Sequence, residues 1–246
     1  MAELLLELAA ALLEKVRTYD WGHSRLALTE VSDIIQKAYG NPAELKKIEK
    51  SLLEVLKSDA TYAGKQFVCR KLSIIGTEQS VPTLSEMLTD EKLSDMARYA
   101  LERIPAEAAN VVLRQALSKT KGKVKVGIIN SLGERGDSKA VAELEKLMNE
   151  TEPMVAEAAI SALGKIACPA ATKALAKAKD EVSDKLKVVA LDAYLKCADK
   201  MTAQGKKDEA MTIYRELYKQ EYPKLIRTAA MRGMVSSATD RTEKKK

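Results

Sequence analysis

Leu132-Gly-Glu-Arg-Gly-Asp137-Ser-Lys-Ala-Val141-Ala-Glu-Leu144-Glu-Lys-Leu147 decides the fold. A helix that stops at Gly136 is followed at once by a helix that starts at Asp137. Glycine takes the left-handed backbone of a helix end without steric cost. Aspartate is a good N-cap, because its side chain accepts from a free backbone N–H of the next turn. Leu132 and Leu144 stand twelve residues apart, one in each helix. The same spacing recurs as Leu72 and Leu84, Leu101 and Leu113, and Leu163 and Leu175. The first leucines of these pairs are 29, 31 and 31 residues apart. Four coincidences at one offset define a repeated unit of two helices and a short turn. By analogy, Gly76 ends a first helix and Ser80 caps a second. Pro105 and Pro169 open second helices, where a missing N–H is harmless. Thr89-Asp90, Thr120-Lys-Gly122 and Glu150-Thr-Glu-Pro153 separate the units.

This segment resembles the short bacterial form of the HEAT repeat. That family sets a small-residue helix, a Gly-Asp turn and a leucine-spaced second helix in this order. Residues 154–180 match it nearly as well, and the resemblance spans about 60–184. Phe67-Val-Cys-Arg-Lys-Leu72 and Met96-Ala-Arg-Tyr-Ala-Leu-Glu-Arg-Ile-Pro105 add a likeness to exported bacterial HEAT-repeat proteins. The resemblance implies an all-α, right-handed α-solenoid of HEAT-like helix pairs, armadillo-like in architecture. In such a stack no unit buries its apolar face alone. Ala97, Ala100, Gly127, Gly133, Ala158, Ala159, Ala162 and Gly164 are small residues that let first helices approach closely.

Composition agrees. One Trp, one Phe and eight Tyr leave the core to Leu, Ala, Val, Ile and Met, which suits helices better than a β-sandwich. The expected organisation is a single solenoid domain over 1–240. Residues 1–24 form a cap helix and connector, with Leu5, Leu8, Leu12 and Val16 on one face. Residues 25–58 are a divergent repeat split at Gly40-Asn41-Pro42, and 59–184 hold four HEAT-like repeats. Residues 185–240 hold a helix pair and a terminal helix. In that pair Tyr194, Cys197, Ala198, Met201, Ala210, Tyr214, Leu217 and Pro223, with Gly205 in the turn, resemble a tetratricopeptide unit. Residues 241–246 read as a disordered basic tail.

The net charge is +6, and the last six residues carry four basic groups and one acid. The body is therefore too weakly basic to imply nucleic acid. The charged residues, 31% of the chain, argue against insertion in a membrane. Glu3, Glu7 and Glu14 interrupt the apolar N-terminus, so it does not read as a signal peptide. Cys69, Cys168 and Cys197 show no ligand or CxxC spacing and read as three free thiols. Cytoplasm is expected for the chain as given. The resemblance offers the alternative of an exported, periplasmic protein whose leader was removed.

Candidate chemistry is sparse. His23 is the single histidine and lies in Tyr19-Asp20-Trp21-Gly22-His23-Ser24-Arg25. A nucleophilic triad draws its members from separated segments, so this cluster reads as a connector. Asp20 or Ser24 would cap the next helix, and Trp21 would plug the end of the stack. A diiron hydroxylase within the HEAT-like folds uses repeated His-Glu pairs. This chain has none, so the resemblance does not carry that site. No cofactor or metal ligand set is expected. Along the second helices the outward positions read Glu86, Gln115, Lys146 and Lys177, with Ser85, Arg114, Glu145 and Ala176 beside them. Neither ladder has one sign, and neither carries the aromatic platforms of a nucleic-acid groove. Tyr218 and Tyr222 are candidate interface anchors, against the duller reading that they pack on the terminal helix at 224–238; Trp21 and His23 are further candidate partner contacts. The reading is a non-enzymatic interaction scaffold for a protein partner. Its alternatives are a nucleic-acid-binding HEAT-like protein and an enzyme with its site at Tyr19–Arg25.

Overall fold

A computed structural model describes residues 11–243, with side chains to 238. Among these residues all regular structure is helical. The expected face of Leu5 and Leu8 lies outside them. Internal contacts resolve the chain into two compact units, Met1–Thr120 and Lys121–Lys246, where the sequence suggested one domain.

Among the described residues the first unit opens with helix over 11–17, here α1. It continues with α2 (Leu26–Lys37), α3 (Pro42–Lys57), α4 (Tyr62–Ile75), α5 (Val81–Glu86), α6 (Ser94–Leu101) and α7 (Glu107–Leu117). Helix α3 starts where the Gly40-Asn41-Pro42 break places it. Asn41 accepts from the Glu44 N–H at 3.3 Å, and Gly40 takes the left-handed φ of +88°. First helix packs on first helix, α4 against α6. Second packs on second, α5 against α7, while α3 packs against α4. The segment after α1 is tied down at the start of α4. Thr61 donates from N–H to the Arg17 carbonyl at 3.0 Å and from its hydroxyl to the Tyr19 carbonyl.

The second unit comprises α8 (Gly122–Glu134), α9 (Val141–Leu147), α10 (Pro153–Ile166), α11 (Pro169–Glu181), α12 (Asp184–Ala203), α13 (Lys207–Leu217) and α14 (Lys224–Glu243). Here α10 packs against both α8 and α12, α9 against α11, and α14 against α12 and α13. Each unit therefore stacks its helices as a helical solenoid does. The approach is closest where small residues meet. A Cβ added to Gly133 would stand 2.9 Å from the Ala162 Cα, and one on Gly164 would stand 2.8 Å from the Ala193 Cα. Side chains at these glycines would drive the helices apart.

All eight marker leucines, from Leu72 to Leu175, are completely buried. Gly136 is left-handed, φ +64°, and Asp137 caps the turn by accepting from the Lys139 N–H at 3.1 Å. Pro169 is the first residue of α11.

Several local expectations are corrected. Gly76 is extended, φ −64° and ψ 140°; its lack of a side chain makes room for Ile104, 3.1 Å from where a Cβ would stand. Ser80 makes no cap. Thr77 accepts from the Gln79 N–H at 3.3 Å instead, and the Ser80 hydroxyl donates to Glu49 at 2.5 Å. Pro105 lies two residues ahead of α7. The boundary expected at 240 falls inside α14, which runs to Glu243. No Gly or Pro after Gly233 interrupts it.

Candidate functional site

The Tyr19–Arg25 cluster does not assemble a relay. The Asp20 carboxylate accepts from the Trp21 N–H at 2.8 Å. His23 Nδ1 faces the backbone carbonyl of Asp20 at 3.2 Å, not its carboxylate. Ser24 Oγ accepts from the Leu26 N–H at 3.3 Å. Each polar group is used by its own turn, and neither Asp20 nor Ser24 caps α2: Ser24 bonds its first residue, but the N-cap position is Arg25, which makes no side-chain cap. Trp21 does not plug an end. It is 60% exposed and stands against Tyr62, ring centroids 5.5 Å apart. Gly22, at φ +90°, turns the chain so that the indole lies on the surface.

The outward positions on the second helices are mostly solvated. Glu86, Gln115, Lys146 and Lys177 are exposed and Arg114 is half-buried. Arg114 pairs with Glu107 at 3.1 Å and Lys146 with Glu143 at 3.2 Å, each on its own helix. Tyr218 is 45% exposed, as an anchor would be. Tyr222 is not, being only 5% exposed, with its hydroxyl directed at Asp180, 3.4 Å away. The chain after α13 turns inward there, and Tyr222 belongs to the core.

A cleft that no sequence pattern announced lies in the second unit. It encloses about 570 Å³. One wall is the α10–α11 turn with the start of α11, and the other is the end of α12 with the start of α13. Ala176, Tyr194 and Met201 give it an apolar floor, and Lys173, Lys200, Lys206 and Glu209 stand around it. Lys200 also serves the fold, donating to the carbonyls of Lys165 at 3.1 Å and Ile166 at 2.9 Å. It thereby satisfies the end of α10, where a cation is favoured by the helix dipole. The turn beneath it is forced: Ala167 is left-handed, φ +46°, a conformation that costs a non-glycine residue about 1–2 kcal/mol. Cys168, half-buried, also lines the cleft.

The floor is held from behind by a charged network. Tyr194 donates from its hydroxyl to Glu216 at 3.1 Å. Glu216 pairs with Lys179 at 3.0 Å, and Lys179 also pairs with Asp180. Lys179 is only 4% exposed. Burial pulls its ammonium down, but the hydrogen bonds to Asp180 and Glu216 outweigh that and hold its pKa above the ordinary value. The bond from Lys179 keeps Asp180 below the usual carboxylate range. Burial, reinforced by Glu216, raises the Tyr194 phenol. Sequence reasoning missed this network, although a signal existed. Lys179 is four residues beyond Leu175 and so shares its buried helical face.

Among the described residues, no group of three or more His, Cys, Asp and Glu side chains is placed to hold a metal ion. No helix among them is long and apolar enough to cross a membrane.

Comparison with known proteins bears on the stacked helix pairs. The family model described as HEAT repeats matches residues 110–194. Residues 110–194 are HEAT repeats. The matched stretch includes Leu113, Leu132, Leu144, Leu163 and Leu175. No curated protein matches the chain. Among the solved structures that match is human deoxyhypusine hydroxylase in complex with glycerol. It is 24% identical, with a TM-score of 0.42, over 79% of this chain and 80% of that one. At that level the likeness assigns no reaction or residue role to this chain. It does correct the expectation of a non-enzymatic scaffold. The matched protein is a hydroxylase by its name, and the expectation that this chain is non-enzymatic is withdrawn.

Proposed function

We propose that the chain holds a segment of a partner protein in the cleft between Ile166 and Glu209. The observation that carries this reading is the cleft itself. Its volume, about 570 Å³, is in the range of sites that enclose small ligands or a few side chains. An apolar floor with charged groups at the rim is the usual composition of such sites. The Tyr194 hydroxyl is held by Glu216, and Glu216 by Lys179, so the floor is fixed before anything binds. A preformed site loses less conformational entropy on binding. The exposed candidates Lys177 and Tyr218 remain peripheral to this reading. Neither lines the cleft.

Affinity capture from the native source, with the wild-type chain and Ala176→Arg side by side, tests the proposal. Ala176 is half-buried on the cleft floor, so arginine there fills the cleft from a helix already carrying Lys173 and Lys177. A protein retained by the wild type and lost by the variant is the expected result. The same proteins retained by both chains, or none by either, would overturn the proposal.

A further inference from the structure

We infer that the occupant of the cleft is an acidic, amphipathic peptide segment, with its carboxylates among Lys173, Lys200 and Lys206 and an apolar side chain on Tyr194 and Met201. This rests on the proposal that the cleft binds a partner segment. Its own support is charge complementarity. Three ammonium groups face one carboxylate, Glu209, across a cleft whose floor is apolar. Lys173 and Lys206 are exposed and make no ion pair among the described residues, unlike Lys165, which is taken up by Glu134 at 2.5 Å. Lys200 lines the cleft as well, while donating hydrogen bonds to two carbonyls. Unpaired like charges gathered at one opening favour an anionic occupant and speed its arrival.

A nucleic acid is the other anionic macromolecule, and the cleft suits it poorly. A phosphate backbone needs a longer run of cations and faces on which bases stack. Beyond Lys173 and Lys177, helix α11 turns to Asp180 and Glu181. Tyr194, the aromatic residue of the floor, is only 6% exposed, enough for the edge of an aliphatic side chain but not for a base to stack on. The small apolar floor instead matches a leucine-sized side chain between two acidic ones.

Fluorescence anisotropy with the full chain tests this. The probes are three fluorescein-labelled ten-residue peptides alternating Leu with Glu, with Lys or with Gln, and a labelled oligo-dT. The acidic peptide should bind, more weakly at higher salt. Lys173→Glu combined with Lys206→Glu should weaken it at least tenfold, with the helical circular dichroism unchanged because both positions are exposed. Ala176→Arg should abolish binding of any peptide. If the Gln peptide binds as tightly as the acidic one and ignores the charge reversals but not Ala176→Arg, the inference falls and the peptide cleft stands. If no peptide binds, or none responds to Ala176→Arg, both fall. Oligo-dT binding tighter than the acidic peptide, and lost on charge reversal, would overturn the inference in favour of nucleic acid.

Discussion

The two units solve the same problem, a turn between paired helices, by different means. In the second unit the turn after α8 is made locally: Gly136 supplies the left-handed residue and Asp137 the cap. In the first unit the turn after α4 has an extended Gly76. It is held by a carboxylate from another helix. Glu49, on α3 and only 1% exposed, accepts from the Thr77 N–H at 2.7 Å, the Thr77 hydroxyl at 3.0 Å and the Ser80 hydroxyl at 2.5 Å. A local turn depends on a few neighbouring residues. A turn held by a buried carboxyl group depends on a helix almost thirty residues earlier. Sequence patterns reveal the first kind readily and the second hardly at all.

The common core should give the largest effects and no difference between units. Leu101→Ala in the first and Leu132→Ala in the second should each cost about 2–5 kcal/mol, measured as a fall in the urea midpoint. A loss under about 1 kcal/mol at either leucine would place it outside the core.

The turns should separate the units. Glu49→Ala takes the acceptor from three donors, among them the buried Ser80 hydroxyl, and should cost about 2–3 kcal/mol. Asp137→Ala removes one cap and should cost about 1 kcal/mol. Equal losses would erase the distinction between a tertiary and a local turn. The single tryptophan, Trp21, lies in the first unit, so its fluorescence should follow the Glu49 variant.

Gly164→Ala should cost about 1–3 kcal/mol, because the new methyl meets Ala193 at less than contact distance. Thermal melts of that variant beside Gly136→Ala would distinguish close packing from backbone conformation, since nothing lies within 4 Å of a Cβ at Gly136.

Thiol chemistry gives a difference in rate. Burial pushes the Cys69 thiol up to about 12 and also raises Cys197. Their reactive thiolates are therefore suppressed at pH 8, below both shifted values. A disulfide reagent at that pH should modify Cys168 quickly, and the other two only when the protein is unfolded. Three fast thiols in the folded chain would contradict this burial.

The smallest effect expected is a gain. Ala167→Gly relieves a left-handed alanine and should raise stability by up to about 1 kcal/mol. No change in the melting temperature would show that the turn is held in that shape without strain.

The repeat was legible because each of its signals is local or periodic. The leucines recur at a fixed offset, and Gly136-Asp137 and Pro169 announce their turns. The candidate site was not legible in this way. Its cleft gathers Lys173, Lys200 and Lys206 from two helices and a turn, and in sequence these are ordinary surface lysines. The Trp21 and Tyr222 assignments exchanged places for the same reason. Helical spacing says which residues share a face, but burial at a loop depends on what packs over it. Glu49 was detectable in principle: it lies three and four residues before Leu52 and Leu53, on the face that they bury.

The glycine–alanine contacts have a consequence for how such a chain grows. Gly133 meets Ala162, and 31 residues later Gly164 meets Ala193. Helix α10 thus carries both halves of the joint, a socket toward one neighbour and a plug toward the other. A segment of that length copied in tandem would bring its own matching halves and leave the existing joints as they were. Interchangeable parts of this kind allow a gene to lengthen by duplication without first evolving a new interface.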